Sequence, residues 1–130
     1  MSEMTYTIRT DKPVDEAVRD VEAALAERKF SVLWSLDVND KLREKGLDLQ
    51  KRFRILEVCS APRAKEALES NPLVSHFLPC KVVVYERDGR TEIGLPRPTG
   101  LMALVGDARL EPLAQEVERI LVEAVEQAAR

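Results

Sequence analysis

The chain has 130 residues, of which 45% are hydrophobic and 33% are charged, and its net charge at pH 7 is −3. This length suits one domain spanning residues 1–130, long enough to bury a substantial core. The apolar content excludes a disordered chain. The charges are mixed along the chain without a basic stripe, and one Trp and two Tyr offer little for base stacking. Nucleic acid is therefore not an expected partner.

The N-terminal segment, residues 1–7, is polar and lacks the apolar centre of a signal peptide. The longest apolar runs, residues 101–105 and 82–85, are far too short to cross a bilayer. These features predict a cytoplasmic protein that does not associate with membranes. In that compartment, two cysteines are expected to be reduced.

The first half of the chain alternates strand and helix patterns. A strand is predicted over residues 4–9, and a helix opens at Pro13 and ends near Lys29, with one apolar stripe. Residues 30–37 alternate as a half-buried strand, and a short helix over residues 37–45 should stop at Gly46. In that strand four apolar residues are predicted to share one face: Phe30, Val32, Trp34 and Leu36.

The middle of the chain predicts a third strand over residues 53–59, a short helix over residues 61–70 and a connector over residues 73–78. A hairpin of strands 81–87 and 90–95 follows, closed by Asp88-Gly89, a pair that tolerates the positive φ values of a tight turn. Pairing Arg87 with Arg90 fixes its register.

That register predicts two different faces of the hairpin. The core face should consist of Val82, Val84, Ile93 and Leu95. On the reverse face Val83 and Tyr85 lie beside a bare Gly94, which predicts a partly apolar surface with a gap.

The C-terminal part begins after Pro96-Arg97-Pro98, which breaks the sheet. Residues 99–105 fit either a short helix or a loop. A long amphipathic helix is predicted over residues 110–129. Its acidic residues are expected to face water: Glu116, Glu118, Glu123 and Glu126.

The resulting order predicts an α+β fold. A single, mostly antiparallel sheet carries two long helices on one face, with short inserted helices. Such a sheet can leave its other face solvated or free for contacts.

A family resemblance rests on three segments of the central region. They are Ile55-Leu56-Glu57-Val58-Cys59, then Leu78-Pro79-Cys80-Lys81-Val82-Val83-Val84-Tyr85-Glu86, then Asp88-Gly89. In this pattern and in its C-terminal amphipathic helix, the sequence resembles the domain of unknown function 302 (DUF302) family. Ser60-Ala61-Pro62 departs from the usual Asn-Pro, and Lys81 replaces a common Arg. The resemblance implies a TATA-binding-protein-like β-α-β4-α fold and a homodimer, and it implies no established activity.

Cys59 and Cys80 are the first candidate site residues, because each lies at a strand end and strand ends can converge. A thiol pair could act in redox chemistry or bind a soft metal, with His76 as a third donor. Their spacing matches no standard metal motif, and a cysteine is also a common small core residue. Packing alone is therefore the competing interpretation, and no metal or cofactor is predicted.

The other candidates are His76, Glu57, Glu86 and Arg97. His76 lies among apolar residues and could serve as a base or simply pack. Glu57 and Glu86 lie within apolar strands. If the two carboxyl groups are buried as a pair, the pKa of one is raised and acid–base chemistry becomes possible. If they are exposed, that chemistry is not expected. Arg97, between two prolines, could hold an anion or remain an exposed loop residue.

These observations favour a small dimeric ligand-binding or interaction module over an enzyme. The alternative is a thiol-based redox or soft-metal-binding protein that uses Cys59 and Cys80. No phosphate loop, nucleophile elbow, zinc-protease motif or dinucleotide fingerprint is present in the sequence.

Overall fold

The computed structural model describes residues 4–130. Five strands form one sheet: β1 (Thr5–Thr10), β2 (Ser31–Asp37), β3 (Phe53–Cys59), β4 (Cys80–Arg87) and β5 (Arg90–Pro96). Five α-helices are interspersed: α1 (Val14–Glu27), α2 (Val38–Arg43), α3 (Ala61–Ser70), α4 (Pro98–Ala103) and α5 (Glu111–Ala129). Two 3₁₀ turns, Pro72–Phe77 and Ala108–Leu110, complete the order. The predicted α+β class with short inserted helices is confirmed.

The sheet has the strand order β1-β5-β4-β3-β2, and every neighbouring pair is antiparallel. The hairpin register is as predicted, with Arg87 opposite Arg90 and Val84 opposite Ile93. Asp88 and Gly89 have φ values of 53° and 77°, the left-handed conformation that a two-residue hairpin turn requires.

The main core lies between one face of the sheet and the two long helices, α1 and α5. The predicted core residues of the hairpin are all buried there: Val82, Val84, Ile93 and Leu95. On α5 the buried stripe includes Ala114 and Val125, which the apolar spacing did not single out. A second, smaller cluster centres on Ala67, Val74 and Leu110 and lies beneath α3 and α4.

The predicted single apolar face of β2 is wrong. The register between β2 and β3 shifts between Val32 and Trp34, so that Leu33 is an extra residue. Val32 lies opposite the fully buried Val58 and packs on the core, whereas Trp34 lies opposite Glu57 and is 50% exposed. A bulge of one residue reverses the alternation, which simple period-two reasoning cannot anticipate.

The face of the sheet away from α1 and α5 is half-buried and partly apolar; we call it the open face. Its middle row crosses the sheet through Leu36, Ile55, Val83, Gly94 and Thr7. The gap predicted at Gly94 is filled, because a Cβ there would lie 3.0 Å from Thr7 Cγ2 and 3.2 Å from the Tyr6 carbonyl oxygen. A side chain at position 94 would therefore press on β1.

Two further rows flank this middle row of the open face. On one side, a row of successive cross-strand partners runs through Phe53, Tyr85, Glu92 and Arg9. The Phe53 and Tyr85 rings stack with centroids 5.7 Å apart, and the Tyr85 hydroxyl donates to the buried Glu92 at 2.8 Å. On the other side, Trp34, Glu57 and Lys81 are partners. The open face thus has an apolar centre between two rows that each pair an acid with a base.

Within residues 4–130, no helix combines the length and hydropathy that a membrane span requires. The polar segment 1–7, on which the cytoplasmic prediction rests, begins with three residues that lie outside the described part of the chain.

Candidate functional site

The two cysteines lie at adjoining ends of neighbouring strands. Cys59 ends β3 and Cys80 begins β4, and Cys80 is the register partner of Val58. Cys59 therefore lies one position beyond the register partner of Cys80. Both are free thiols, and both line one cavity. The sequence alone did not predict whether the two thiols are close together, because both faces of β3 carry apolar residues.

This cavity, which we call the cysteine cavity, has a volume of about 60 Å³. Its walls come from the ends of β3 and β4 and from α3, α4 and α5. Most of its lining is apolar and includes Val58, Ala67, Val74, Met102, Ala114 and Val117. Such a lining offers a water molecule few of the polar partners that it needs.

The polar lining of the cavity is already engaged. Arg63 donates to Glu116 at 2.7 Å and to the Ser60 hydroxyl at 3.3 Å. Its guanidinium also lies 5.9 Å from the centre of the Phe30 ring. The charge of Arg63 is therefore balanced by Glu116, which leaves the cavity suited to uncharged ligands.

Both thiols are held in their neutral form. Burial, and after it the nearby Cys59, raises the pKa of the Cys80 thiol to about 11. Burial also raises the pKa of Cys59. Because the thiolate is the nucleophile and the metal ligand, these surroundings disfavour a reactive cysteine at neutral pH.

A surface cleft of about 410 Å³ lies beside the cavity; we call it the Cys80 cleft. Four residues line both spaces: Leu78, Cys80, Pro98 and Met102. These shared residues form the wall between the cavity and the cleft.

The Cys80 cleft also gathers two other predicted site residues, His76 and Glu57. His76 is exposed, with Nδ1 3.2 Å from the Leu73 carbonyl oxygen. Glu57 accepts from Lys81 at 3.2 Å. Three of the six candidates, counting Cys80, therefore line one cleft. Among residues 4–130, no group of three His, Cys, Asp or Glu side chains is arranged to hold a metal ion.

Glu86 lies apart from these residues, toward the other end of β4. Its carboxylate accepts from the Arg52 backbone N–H at 2.7 Å, and its own N–H donates to the Arg52 carbonyl at 3.1 Å. Glu86 therefore fastens the segment before β3 to the hairpin.

Arg97 binds Glu118 of α5, to which its Nε and Nη2 each donate at 3.0 Å. The other Glu118 oxygen accepts from the Thr99 N–H at 3.0 Å and from the Thr99 hydroxyl at 2.6 Å. The expectation that Glu118 faces water is wrong, since its side chain is only 15% exposed. Glu126, also expected to face water, is half-buried and accepts from the Tyr6 hydroxyl at 2.9 Å.

Sequence reasoning missed Met102, Ala114 and Glu118 as residues of this region. Glu118 had looked like a solvent-facing position of an amphipathic helix, because its partners lie about twenty positions earlier in the chain. Met102 lay in a segment that fitted a helix or a loop equally well. Neither has a local sequence signal that would have identified its role.

The comparisons with known proteins agree on one family. The model of the family described as "Domain of unknown function DUF302" matches residues 6–128. The chain belongs to the DUF302 family. A solved structure titled an uncharacterized conserved protein DUF302 from Bacillus stearothermophilus is 38% identical in sequence. It superposes with a TM-score of 0.94, over 99% of this chain and 100% of that one. No curated protein matches the sequence. The DUF302 assignment explains the fold and names no activity.

Proposed function

We propose that this DUF302 protein binds a small, uncharged, apolar molecule in the cysteine cavity. The observation that carries the proposal is a cavity of about 60 Å³ between the sheet and α4, with apolar walls and two neutral thiols. An apolar cavity of about 150 Å³ is known to take benzene or xenon. The cysteine cavity is smaller, so it suits a ligand of very few heavy atoms unless α4 moves.

Xenon is a suitable probe for this proposal because it fills apolar cavities without needing a polar contact. Under xenon pressure, the methyl NMR signals of Met102, Ala114 and Val58 should shift and saturate. Ala114→Val should abolish the saturation by filling the space. Ala26→Val makes the same change at an exposed position of α1 and should leave it intact. Shifts that stay linear, or that survive Ala114→Val, would refute binding in this cavity.

A second candidate is reversible oxidation of the cysteine pair. It is favoured by the presence of both thiols beside one cavity at adjoining strand ends. Two thiols would give one S–S bond, and the two electrons and two protons would pass to a disulfide such as oxidised glutathione. The raised thiol pKa values weigh against it, since few thiolates exist at neutral pH.

Incubation with oxidised glutathione followed by intact-mass analysis tests this second candidate. A loss of two hydrogen atoms, reversed by dithiothreitol and absent in Cys59→Ser, would support it. Persistence of both free thiols under a strongly oxidising glutathione ratio would eliminate it. Xenon binding is measured on the reduced protein, so the two candidates are tested separately.

We also propose that the protein is a homodimer joined through the open face. Trp34 and Leu33 are 50% and 59% exposed at the β2 edge of the sheet, next to the apolar row of Leu36, Ile55 and Val83. A two-fold axis along that row sets apolar residues against each other. The flanking rows each contain an acid–base pair, Arg9–Glu92 and Lys81–Glu57, so the contact buries no uncompensated charge. Sedimentation equilibrium measures the mass directly, and a monomer at high concentration would refute the proposal.

A further inference from the structure

We propose that the outer edge of β1 is a second contact surface, which pairs antiparallel with β1 of another copy of this chain across a two-fold axis at Thr7. This inference goes beyond the proposed function, because it joins backbone groups at an edge of the sheet, whereas the proposed dimer joins side chains of the open face. Three observations carry it: the free backbone groups of β1, the regularity of the strand and the side chains along its edge.

Every second residue of β1 directs its backbone groups away from β5. The strand is at one end of the sheet order and pairs with β5 alone. The Arg97 N–H donates to the Met4 carbonyl at 2.7 Å, and hydrogen-bonded pairs recur at every second residue of such a ladder, here at Tyr6 and Ile8. The residues between them, whose N–H and C=O groups point outward, are Thr5, Thr7 and Arg9. Within residues 4–130, no hydrogen bond outside the ladder engages these outward groups.

The outer edge of β1 lacks the features that usually protect a free strand. Its register with β5 continues without a shift from Thr5 to Thr10, and the strand contains no proline. The opposite edge of the sheet is different, because the bulge at Leu33 interrupts β2. Bulges, prolines and lysines are common means by which a protein prevents an edge from pairing with another chain. Of the two edges, β1 is therefore the one suited to pairing.

The side chains along this edge identify the partner as a second copy. With the two-fold axis at Thr7, that residue lies opposite its own equivalent, and Thr5 lies opposite Arg9 of the second copy. Opposed threonines form favourable cross-strand pairs. All three residues are exposed, and Arg9 is the one charged residue of β1, so no like charges are opposed. An unrelated peptide would have to supply the same pattern, whereas every copy of this chain carries it.

Amide hydrogen exchange, measured by NMR, tests this contact at the residues that form it. In a single copy, β5 protects the Ile8 amide and leaves the Thr7 amide unprotected. Pairing at the edge should slow exchange at Thr7 about tenfold or more as the protein concentration rises, while Ile8 keeps its slow exchange. The same dependence in Trp34→Glu distinguishes this contact from the open-face dimer, which leaves the edge of β1 unpaired.

Thr5→Lys and Thr5→Glu provide a matched pair of variants at one exposed position. Lysine at position 5 would face Arg9 of the other copy at both ends of the paired strands, and should weaken the contact about fivefold. Glutamate at the same position should strengthen it, because opposite charges are then opposed. Sedimentation equilibrium in the Trp34→Glu background gives the dissociation constants without the contribution of the open face.

A Thr7 amide that exchanges rapidly at every concentration would overturn the edge contact. Protection that does not depend on concentration would also overturn it, because such protection arises within one chain. Equal dissociation constants for the two Thr5 variants would have the same consequence. None of these outcomes bears on the open-face dimer or on xenon binding, since those are measured through Trp34→Glu and through the cysteine cavity.

Discussion

At the scale of single residues, the apolar surroundings of the two thiols determine what the site can do chemically. Cys80 packs against the main core and lies between the cavity and the surface cleft. A buried thiol is stabilised in its neutral form, because the thiolate loses hydration that the apolar walls do not replace. The two cysteines therefore resemble the walls of a binding cavity more than a pair of nucleophiles.

The high pKa of Cys80 gives a pH prediction. In Cys59→Ala, burial alone still raises the pKa of Cys80, so the rate of alkylation of Cys80 by a neutral reagent should keep rising with pH well past an ordinary thiol near 8.5. The free energy of unfolding changes in the opposite direction and falls as the pH rises. Because the pKa of Cys80 is raised in the folded state, the neutral thiol stabilises the fold at pH values below the ordinary thiol pKa. That contribution is lost as pH rises toward about 11. A rate that levels off near pH 9 would show that Cys80 is more solvated than it is in this structure.

At the scale of elements, the sheet depends on one close approach between β1 and β5. Thr7 lies opposite Gly94, and its Cγ2 occupies the space that a side chain at position 94 would need. The middle row of the open face is therefore continuous across the sheet. This continuity cannot be deduced from the hairpin alone, because β1 lies almost the whole chain away from β5.

We expect Gly94→Ala to lower the free energy of unfolding by about 1–3 kcal/mol, the usual cost of overpacking. The added methyl would press on Thr7 Cγ2 and on the backbone oxygen of Tyr6. Thr7→Ser removes the first contact, so the double variant should recover part of the loss, as urea denaturation can measure. A double variant no more stable than Gly94→Ala would mean that the Tyr6 backbone oxygen alone sets the cost.

The elements that the sequence predicted well are those with local causes. Asp88-Gly89 determines the hairpin and its register, since few other residues accept those φ values. The apolar spacing of α1 predicts its buried side, although the helix ends at Glu27, two residues early, because Lys29 adopts a φ of 63°. Predictions failed where the cause was distant: the bulge at Leu33 is set by the pairing with β3, and the burial of Glu118 by Arg97 and Thr99.

At the scale of the whole molecule, the fold has one covered face and one open face. The covered face holds both long helices and the main core, and the cysteine cavity lies at one end of that layer. The open face carries the exposed Trp34 and the apolar row beside it. Binding of a ligand and contact with a second copy would therefore use different sides of the sheet.

Trp34→Glu tests the contact with a second copy. A carboxylate placed beside Glu57 on this face should weaken the dimer about tenfold or more, since aromatic residues dominate such contacts. The free energy of unfolding of the monomer should change little, because the side chain is half exposed. Sedimentation at several concentrations gives the dissociation constant. Leu73→Glu, at a 52% exposed position away from the sheet, is the control and should leave the mass unchanged.

The pairing of β1 with β5 also has a consequence for how the chain folds. Residues 5–10 find their partners at residues 91–96, so the first strand to be synthesised cannot join the sheet until the last strand has emerged. Contacts between such distant segments are slow to form, because a long loop must close first. Until then the edge of β5 that faces β1 is unpaired, and an unpaired edge readily adds a strand from another chain. The nascent protein is therefore most prone to aggregation just before its first strand docks.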